Sequence, residues 1–187
     1  YHCTETGPEA MSAHLSALIE AAVCDLEMAG CLRSGDDDFS LEPTPLGRVA
    51  SYYYLQYTTV ALFNAELRDV DEGPRELQTL LRVLCDASEY DELPVRHNEE
   101  HVNAELATKV PWPVDARQYD SPHIKASLLL QAHFARVPMP MSDYSTDLKS
   151  VLDQAPRILQ AMVDVAADGG WLETALEAMH LSQMVTQ

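Results

Sequence analysis

The sequence predicts a mainly α-helical protein, and its composition and patterning both support this fold class. The 187 residues are 47% hydrophobic, with only seven glycines and few β-branched runs. Apolar residues recur at helical spacing in several segments, and strings rich in proline or glycine separate these segments. A chain of this length can bury about 70% of its unfolded surface, which is enough for one large core or two small ones.

The first 46 residues are typical of the C-terminal part of a winged-helix domain. Residues 9–29 predict an amphipathic helix with Gly30 as its C-terminal cap, and residues 31–41 predict a short hairpin. The helix carries an apolar stripe of Leu15, Leu18, Ile19, Ala22, Val23 and Leu26. Three aspartates at 36–38 make the tip of the hairpin acidic, whereas wings that bind DNA are usually basic. A structural, domain-bridging role is therefore favoured for this segment.

Residues 47–187 predict a multi-helix bundle, which a hinge at residues 43–45 joins to the first part. A long helix after Gly47 is expected to bury Val49, Tyr53, Val60 and Ala61 on one face. The string of tyrosines at 52–54 is expected to pack in or near the core, with hydroxyl groups reaching partners at its edge. Further helices are predicted over residues 74–87, 98–110, 121–137, 144–168 and 170–186.

The charge distribution excludes a broad surface for binding phosphates. The net charge is −18, from 30 acidic and 12 basic residues, and generic nucleic-acid binding needs clustered lysine and arginine. The bases within residues 111–187 are Arg117, Lys125, Arg136, Lys149 and Arg157. Any contact with a nucleic-acid strand is therefore expected to be narrow and to lie in the C-terminal half.

Sequence signatures of a catalytic or nucleotide-binding site are missing. The chain contains no GxxxxGKS/T phosphate loop, no DExH box and no glycine-rich nucleotide cradle. No catalytic residue and no cofactor are therefore assigned to it. No apolar run approaches the roughly 18 residues that span a bilayer, so a membrane is not expected among its partners. The first residue is Tyr1, and the chain is interpreted as a fragment of something longer.

Two patterns that could suggest a metal site are better explained without one. Cys24 and Cys31 are separated by six residues, which is too wide for the usual zinc knuckle, and free thiols are expected instead. Residues 97–101 match the HxxEH pattern of inverted zinc peptidases. Asn98 is a good helix N-cap, however, and would leave His97 before the helix, away from the face that such a site needs. No metal ligand is assigned.

Several polar residues are given structural roles. Arg96 and His97 are expected to bind backbone carbonyls or acids of a neighbouring helix and so to hold the elbow at residues 93–98. His123 lies at a predicted helix start, and Gln131 and His133 are expected to be satisfied polar groups at a helix–helix seam. The residues expected on the buried face of that helix are Ile124, Leu128, Ala132 and Ala135.

The helix predicted over residues 144–168 is the strongest functional candidate. Its apolar stripe consists of Leu148, Val151, Leu152, Ala155, Leu159, Met162, Val163 and Ala166. Its opposite face carries Lys149, Asp153, Arg157, Gln160 and Asp164. This face is either solvated, with i,i+4 ion pairs, or a surface that binds a strand. Pro156 removes one backbone hydrogen bond at a cost of about 3 kcal/mol, and a kink is expected near residues 152–156.

Five short strings occur in an order that resembles one known family. They are GRVASYYY at 47–54, LPVRHNE at 93–99, DSPHIK at 120–125, LLLQAH at 128–133 and QMVTQ at 183–187. Together they are similar to the helical module that follows the motor domains of Ski-two-like, superfamily-two RNA helicases, especially the large members with two cassettes. The string at 143–147 favours the cointegrator-complex members, whereas the string at 176–179 favours the spliceosomal ones.

The resemblance implies a non-catalytic accessory module that guides single-stranded RNA and braces the motor domains of the same polypeptide. In related helicases the helix at 144–168 acts as a ratchet and touches the bases of the translocating strand. Aligned on that pattern, Ser150 and Arg157 fall at strand-contacting positions, with Lys149 in support. Pro156 departs from the family pattern, so either it re-aims Arg157 or the ratchet role has weakened.

Two alternatives remain open at this stage. The chain could instead be a protein-interaction scaffold that binds subunits of a spliceosomal or of a cointegrator or ribosome-associated complex, because its acidity suits basic protein partners. The related module of the protein-translocation J-protein in the endoplasmic reticulum is a third interpretation, which the tyrosine string at 52–54 disfavours. The helicase resemblance implies a nuclear location, with the cytoplasm as the alternative.

Overall fold

α-Helices form most of the computed structural model, which describes residues 8–35, 40–72 and 77–186. The elements in chain order are α1 (Pro8–Met28), β1 (Leu32–Ser34), β2 (Leu41–Pro43), α2 (Pro45–Tyr53), α3 (Tyr57–Glu72), α4 (Leu77–Cys85), a 3₁₀ turn (Ser88–Tyr90), α5 (Glu99–Ala107), α6 (Pro122–Phe134), α7 (Ser142–Asp168) and α8 (Leu172–Thr186). The mainly α prediction is confirmed. No described helix is both long enough and apolar enough to cross a membrane.

The long helix α7 lies at the centre of the bundle and packs against α2, α3, α6 and α8. Most of its predicted stripe is buried, and the remaining members pack at the margin of the core: Leu148, Leu152 and Val163. The helix continues through Pro156, so this proline does not end it. The kink itself stays a prediction.

Helix α6 is buried on every side rather than on one face. All residues from Lys125 to Gln131 are buried, together with Ala132, whereas Ala135 lies exposed beyond the helix. The prediction of a single buried face that includes Ala135 is therefore wrong. The reason is tertiary, because α6 packs against α4, α5, α7 and α8 at once.

The long helix expected after Gly47 is instead two helices, α2 and α3. Tyr54 adopts a left-handed conformation with φ of 53°, and its N–H bonds back to the last turn of α2. Val49 and Val60 are buried as expected and Tyr53 is half-buried, but Tyr52 is 76% and Tyr54 is 86% exposed. Core packing was therefore the wrong prediction for these two tyrosines, because the turn ends the buried face of α2 at Val49 and Tyr53.

The start of α2 is fixed tightly against the hairpin. Thr44 is its N-cap, accepting a hydrogen bond from the Gly47 N–H at 3.1 Å and donating one to the Gly30 carbonyl at 2.6 Å. Pro45 occupies the first turn, where a missing N–H costs nothing. A Cβ at Gly47 would lie 2.1 Å from the carbonyl oxygen of Cys31, so only glycine lets the helix pass so close.

The N-terminal segment forms the predicted helix and hairpin. β1 and β2 pair antiparallel, with Leu32 opposite Pro43, and the predicted acidic tip at 36–38 lies outside the described residues. On α1, the stripe members Leu15, Leu18 and Ile19 are exposed. No described element therefore covers these three residues, whereas Leu26 at the end of the stripe packs against the core. The assignment to a winged-helix domain stays a prediction.

Candidate nucleic-acid interface

The polar face of α7 has the exposure that the sequence predicted, apart from one residue. Lys149, Asp153, Gln160 and Asp164 are exposed, whereas Arg157 is half-buried. Ser150 is exposed beside Lys149. The three residues expected to contact a strand, Lys149, Ser150 and Arg157, thus all belong to one helix, but Arg157 differs from the other two in its surroundings.

Arg157 clamps the end of α2 onto α7. Its Nη1 donates to the carbonyl oxygens of Tyr53 at 3.0 Å and Tyr54 at 2.7 Å, and its Nη2 donates to Oε1 of Gln154 at 2.9 Å. The last carbonyls of a helix have no partner within the helix, and a cation at that end also complements the helix dipole. Arg157 therefore stabilises the α2 terminus, and its guanidinium edge is largely occupied.

A polar cleft of about 390 Å³ lies beside this clamp, between α7 and the 3₁₀ turn. We call it the α7 cleft, and its lining includes Ser150, Gln154, Gln56, Ser88 and Glu89. Amide and hydroxyl groups of this kind can both donate and accept hydrogen bonds. The cleft can therefore contact sugars and base edges, but it offers no cluster of cations for phosphates.

The Glu89 carboxylate in this cleft is already bound by protein donors. One oxygen accepts the Gln56 N–H at 2.8 Å, and the other accepts the Thr59 hydroxyl at 2.6 Å. Both donors belong to the start of α3, where the helix dipole favours a negative charge. The charge of Glu89 is thus partly offset, which weakens its repulsion of an approaching strand.

The three consecutive tyrosines differ in their environments. The Tyr53 hydroxyl donates to Asp164 on α7 at 2.7 Å, and burial together with this hydrogen bond raises the pKa of Tyr53 to about 12. Tyr52 packs edge-on against Tyr53, with ring centroids 4.9 Å apart. Tyr54, the next residue, is almost fully exposed. Of the three side chains, only that of Tyr53 therefore forms a described hydrogen bond to α7.

A buried cluster of charges supports the other end of α7. The Lys125 side chain is fully buried, and its Nζ donates to Glu99 at 2.6 Å, to Asp147 at 2.7 Å and to the Pro94 carbonyl at 2.6 Å. Arg96 reaches the same two carboxylates, and its contact with Asp147 is bidentate. All three ammonium hydrogens of Lys125 are thereby used. We call these four side chains the charge cluster.

The aromatic ring of Tyr144 covers the charge cluster. The Lys125 ammonium lies 4.7 Å from the ring centroid, a cation–π distance. The Tyr144 hydroxyl donates to Asn103 Oδ1 at 2.6 Å, and Asn103 in turn donates to the Tyr119 carbonyl. Burial raises the pKa of Tyr144, and the negative charges of the cluster raise it further. The contacts tie α5, α6 and α7 together at the base of the polar face.

The cluster lowers the pKa of both its carboxyl groups. Burial alone would raise the pKa of Glu99, but hydrogen bonds from Lys125 and Arg96 outweigh it. The pKa of Asp147 is lowered by the same two cations against the same opposing effect of burial. Both groups are therefore held as carboxylates in the folded chain.

Acid is expected to destabilise the protein through this cluster. The ordinary pKa values are about 4.3 for Glu and 3.9 for Asp, so the stabilisation is present above them and is lost as the pH falls through the lower folded values. Urea unfolding between pH 5 and pH 3 should show a shallower loss of unfolding free energy for Glu99→Gln than for the unmodified chain. Glu100→Gln, at an exposed neighbouring position, is the control and should keep the full slope. Equal slopes for all three would contradict the assignment.

The elbow at 93–98 is held by Arg96 but not by His97. The Glu99 side chain accepts the Arg96 N–H at 3.0 Å, so it closes the start of α5. Asn98 occupies the N-cap position as predicted, but it has φ of 68° and makes no capping hydrogen bond with its side chain. His97 is exposed and its side chain has no hydrogen bond within the described part of the chain. The expected contact of His97 with a neighbouring helix is therefore wrong.

The remaining polar residues behave differently from one another. His123 bridges two segments, with Nδ1 donating to the Cys85 carbonyl at 2.8 Å and Nε2 at 3.0 Å from Asp91. Gln131 is buried, and its amide accepts the Trp112 N–H and donates to a serine. His133 is half-buried and tilts against its neighbour Phe134. His123 and Gln131 are thus satisfied at helix seams.

The described residues contain no group of three or more side chains that could hold a metal ion. His97 precedes α5 and His101 lies on it, both exposed. Cys24 is an exposed free thiol, whereas Cys31 and Cys85 are buried free thiols. Burial raises the pKa of both buried thiols, which leaves them protonated.

Sequence reasoning missed the residues that organise the site. Lys125 was counted only as a base, although its place within an apolar helix was a signal of burial. Asp147 and Glu99 carried no signal as its partners, because 22 and 26 residues separate them from it. Gln154 was likewise unassigned, and only the fold places it in contact with both Arg157 and the α7 cleft.

Comparison with known proteins agrees with this architecture. The family model described as Sec63 Brl domain matches residues 43–187. The whole chain is 50% identical to the DExH-box ATP-dependent RNA helicase DExH14 of Arabidopsis thaliana and 47% identical to Activating signal cointegrator 1 complex subunit 3 of Homo sapiens.

A more distant relative is the U5 small nuclear ribonucleoprotein 200 kDa helicase of Homo sapiens, 40% identical over 95% of the chain. The chain spans about 8% of the length of each of these three relatives. The relatives are Ski-two-like helicases, as the sequence motifs suggested. The match over residues 43–187 shows that this chain belongs to the Sec63 Brl domain family.

Proposed function

We propose that this chain is a non-catalytic accessory module of a large two-cassette, ATP-dependent RNA helicase. In this proposal the motor domains of the same polypeptide hydrolyse ATP, while the helical bundle braces them and guides single-stranded RNA. The observation that carries it is the α7 cleft, which adjoins a helix face bearing Lys149, Ser150 and Arg157. The relative DExH14 is named as an ATP-dependent RNA helicase, which supports the same class of ligand.

The contact with RNA would involve few phosphates. The chain has a net charge of −18, and the cleft contains no cation cluster. Lys149 is exposed and makes no ion pair with a described residue, so it is the strongest candidate for a phosphate. Ser150 can bind a sugar or a base edge, whereas Arg157 offers chiefly its planar face, because Tyr53, Tyr54 and Gln154 already accept three of its five N–H donors. Such a grip is independent of sequence and only weakly dependent on salt.

Lys149→Ala is expected to reduce the salt dependence of RNA binding by the full-length helicase. Each phosphate contact contributes about 0.7 to the slope of log affinity against log salt for a single strand. Fluorescence anisotropy with a labelled oligouridine at several salt concentrations measures this slope. Lys109→Ala, which removes an equal charge beyond α5, is the matched control and should leave the slope unchanged. Identical slopes for both variants would remove Lys149 from the interface.

A protein-interaction scaffold is the second candidate, and the exposed stripe on α1 favours it. Met11, Leu15, Leu18 and Ile19 are all at least 42% exposed. Subunits of a nuclear spliceosomal or cointegrator complex could cover this stripe. Replacing Leu18 and Ile19 with glutamate in the full-length protein should then release such subunits in co-purification and leave RNA affinity intact.

A further inference from the structure

Tyr54 combines exposure with an unfavourable backbone conformation. Its φ of 53° lies in the left-handed region, which a residue with a Cβ adopts at a cost and which glycine or asparagine usually fills at a helix C-terminus. Its side chain is 86% exposed, so the fold does not recover this cost by burying the ring. Strain of this kind in an exposed aromatic residue points to a role outside the fold.

The backbone of Tyr54 is nevertheless rigidly held. Its carbonyl accepts Nη1 of Arg157 at 2.7 Å, and the N–H of the next residue, Leu55, bonds to the Ala50 carbonyl at 2.9 Å. Leu55 itself is buried. The ring therefore projects from a fixed support into solvent, and Arg157 is part of that support.

A second aromatic ring and a cation lie on the same helix end. Tyr52 is 76% exposed, and its edge-on contact with Tyr53 limits the freedom of its ring. Arg48 is exposed one helical turn earlier, and its side chain has no ion pair with any described residue. Gln56, two residues after Tyr54, lines the α7 cleft. Tyr54 thus lies two residues along the chain from one wall of the cleft proposed for the strand.

We propose that Tyr54, together with Tyr52, is a stacking platform for the bases of single-stranded RNA, and that Arg157 is its positioning residue. Base–aromatic stacking is tolerant of sequence, because every base has a π face. This inference rests on the proposed function and identifies the groups that grip the strand. Arg157 acts in it by holding the carbonyls of Tyr53 and Tyr54.

Charge favours RNA over a protein at this surface. Arg48 and Lys149 are exposed and free of described ion pairs, and the nearby acids Glu89 and Asp164 are engaged by protein donors, which leaves the exposed Glu92 as the acid of the α7 cleft that repels a strand. An apolar groove that includes Leu26 and Leu55 also borders Tyr54, and a protein segment is the occupant that would compete for it. The variants of Tyr54 described next distinguish RNA from a protein segment as the occupant of this surface.

Tyr54→Gly in the full-length protein separates a role in binding from a role in folding. Loss of one stacked base should weaken oligouridine binding by about 5- to 150-fold in anisotropy titrations. The thermal midpoint should stay the same or rise, because glycine relieves the left-handed strain. Tyr54→Phe keeps the ring and should bind like the unmodified protein.

Double variants test the role of Arg157. If Arg157 acts through Tyr54, then Arg157→Ala alone should weaken RNA binding by the otherwise unmodified protein. In a protein that already carries Tyr54→Gly, the same substitution should weaken RNA binding little further. Fully additive losses would overturn the positioning role and make Arg157 a contact in its own right.

A comparison of Tyr54→Gly with Lys149→Ala distinguishes a failure of the stacking platform from a failure of the proposed function. Native RNA affinity in Tyr54→Gly, with a reduced salt slope in Lys149→Ala, would overturn the platform and leave the proposed function intact. If neither variant differs from the unmodified protein, then the proposed function fails as well. Native RNA affinity in Tyr54→Gly combined with loss of a co-purifying subunit would assign the tyrosines to a protein partner and overturn the platform.

Discussion

Lys125→Met is expected to lower the unfolding free energy by about 3–5 kcal/mol, because it leaves the Glu99 and Asp147 carboxylates buried with too little compensating charge. The Lys125 side chain is fully buried, and those of the two acids are only 5% and 4% exposed. Arg96 remains, but it approaches from the exposed side of the cluster. A loss of this size is a large part of the 5–15 kcal/mol that stabilises a typical domain, so urea unfolding of the chain should detect it readily.

The control for this variant is Lys109→Met. Lys109 is half-exposed and forms an i,i+4 pair with Glu105, and such pairs contribute little. Its replacement should leave the urea midpoint almost unchanged. Adding Glu99→Gln and Asp147→Asn to Lys125→Met should restore part of the lost stability, since the buried charges disappear together. If the three substitutions instead cost more than Lys125→Met alone, the cluster is not the cause.

Gly47→Ala is expected to destabilise the chain by about 2 kcal/mol, although alanine is normally the better helix former. At an unobstructed position in a helix, alanine would stabilise by up to about 1 kcal/mol relative to glycine. Here the added Cβ would lie 2.1 Å from the Cys31 carbonyl oxygen, and a backbone atom cannot move away as a flexible side chain can. Overpacking of this kind typically costs 1–3 kcal/mol. The direction of the change in unfolding free energy therefore tests whether α2 packs this closely against Cys31.

Ser51→Ala on the exposed face of α2 is the matched control for Gly47→Ala. It also introduces alanine into the same helix, and it should change the unfolding free energy by less than about 0.5 kcal/mol. A stabilised Gly47→Ala variant would show that α2 and the hairpin do not pack so closely in solution. A destabilised one should also lose protection of the Thr44 and Gly47 amides in hydrogen exchange.

The position of Arg157 changes the role that is expected for this residue on α7. From the sequence it was the principal contact with the strand, exposed on the polar face of α7. In the fold it binds the carbonyls of Tyr53 and Tyr54, which lie 104 and 103 residues away. Its most direct effect is thus on α2, and the tyrosines that α2 presents become the groups to test.

The sequence by itself determined the helical class, the order of the elements apart from the division between α2 and α3, and the buried stripe of α7. The spacing of apolar residues and the positions of proline and glycine are local properties of the chain. Helix α7 is long enough for its apolar stripe to be recognised from that spacing alone. The motifs were also sufficient to identify the family, because several strings in a fixed order carry more information than any one of them. The helices predicted over residues 98–110 and 121–137 were slightly too long, because α5 ends at Ala107 and α6 ends at Phe134.

The tertiary structure alone decided the break at Tyr54, the exposure of Tyr52 and the burial of Lys125. A left-handed residue ends α2 without any glycine to signal it. Lys125 can be buried because its two carboxylate partners arrive from α5 and α7, far along the chain. Periodicity reports only on neighbours three or four residues apart, whereas these features depend on groups that meet only when the helices pack.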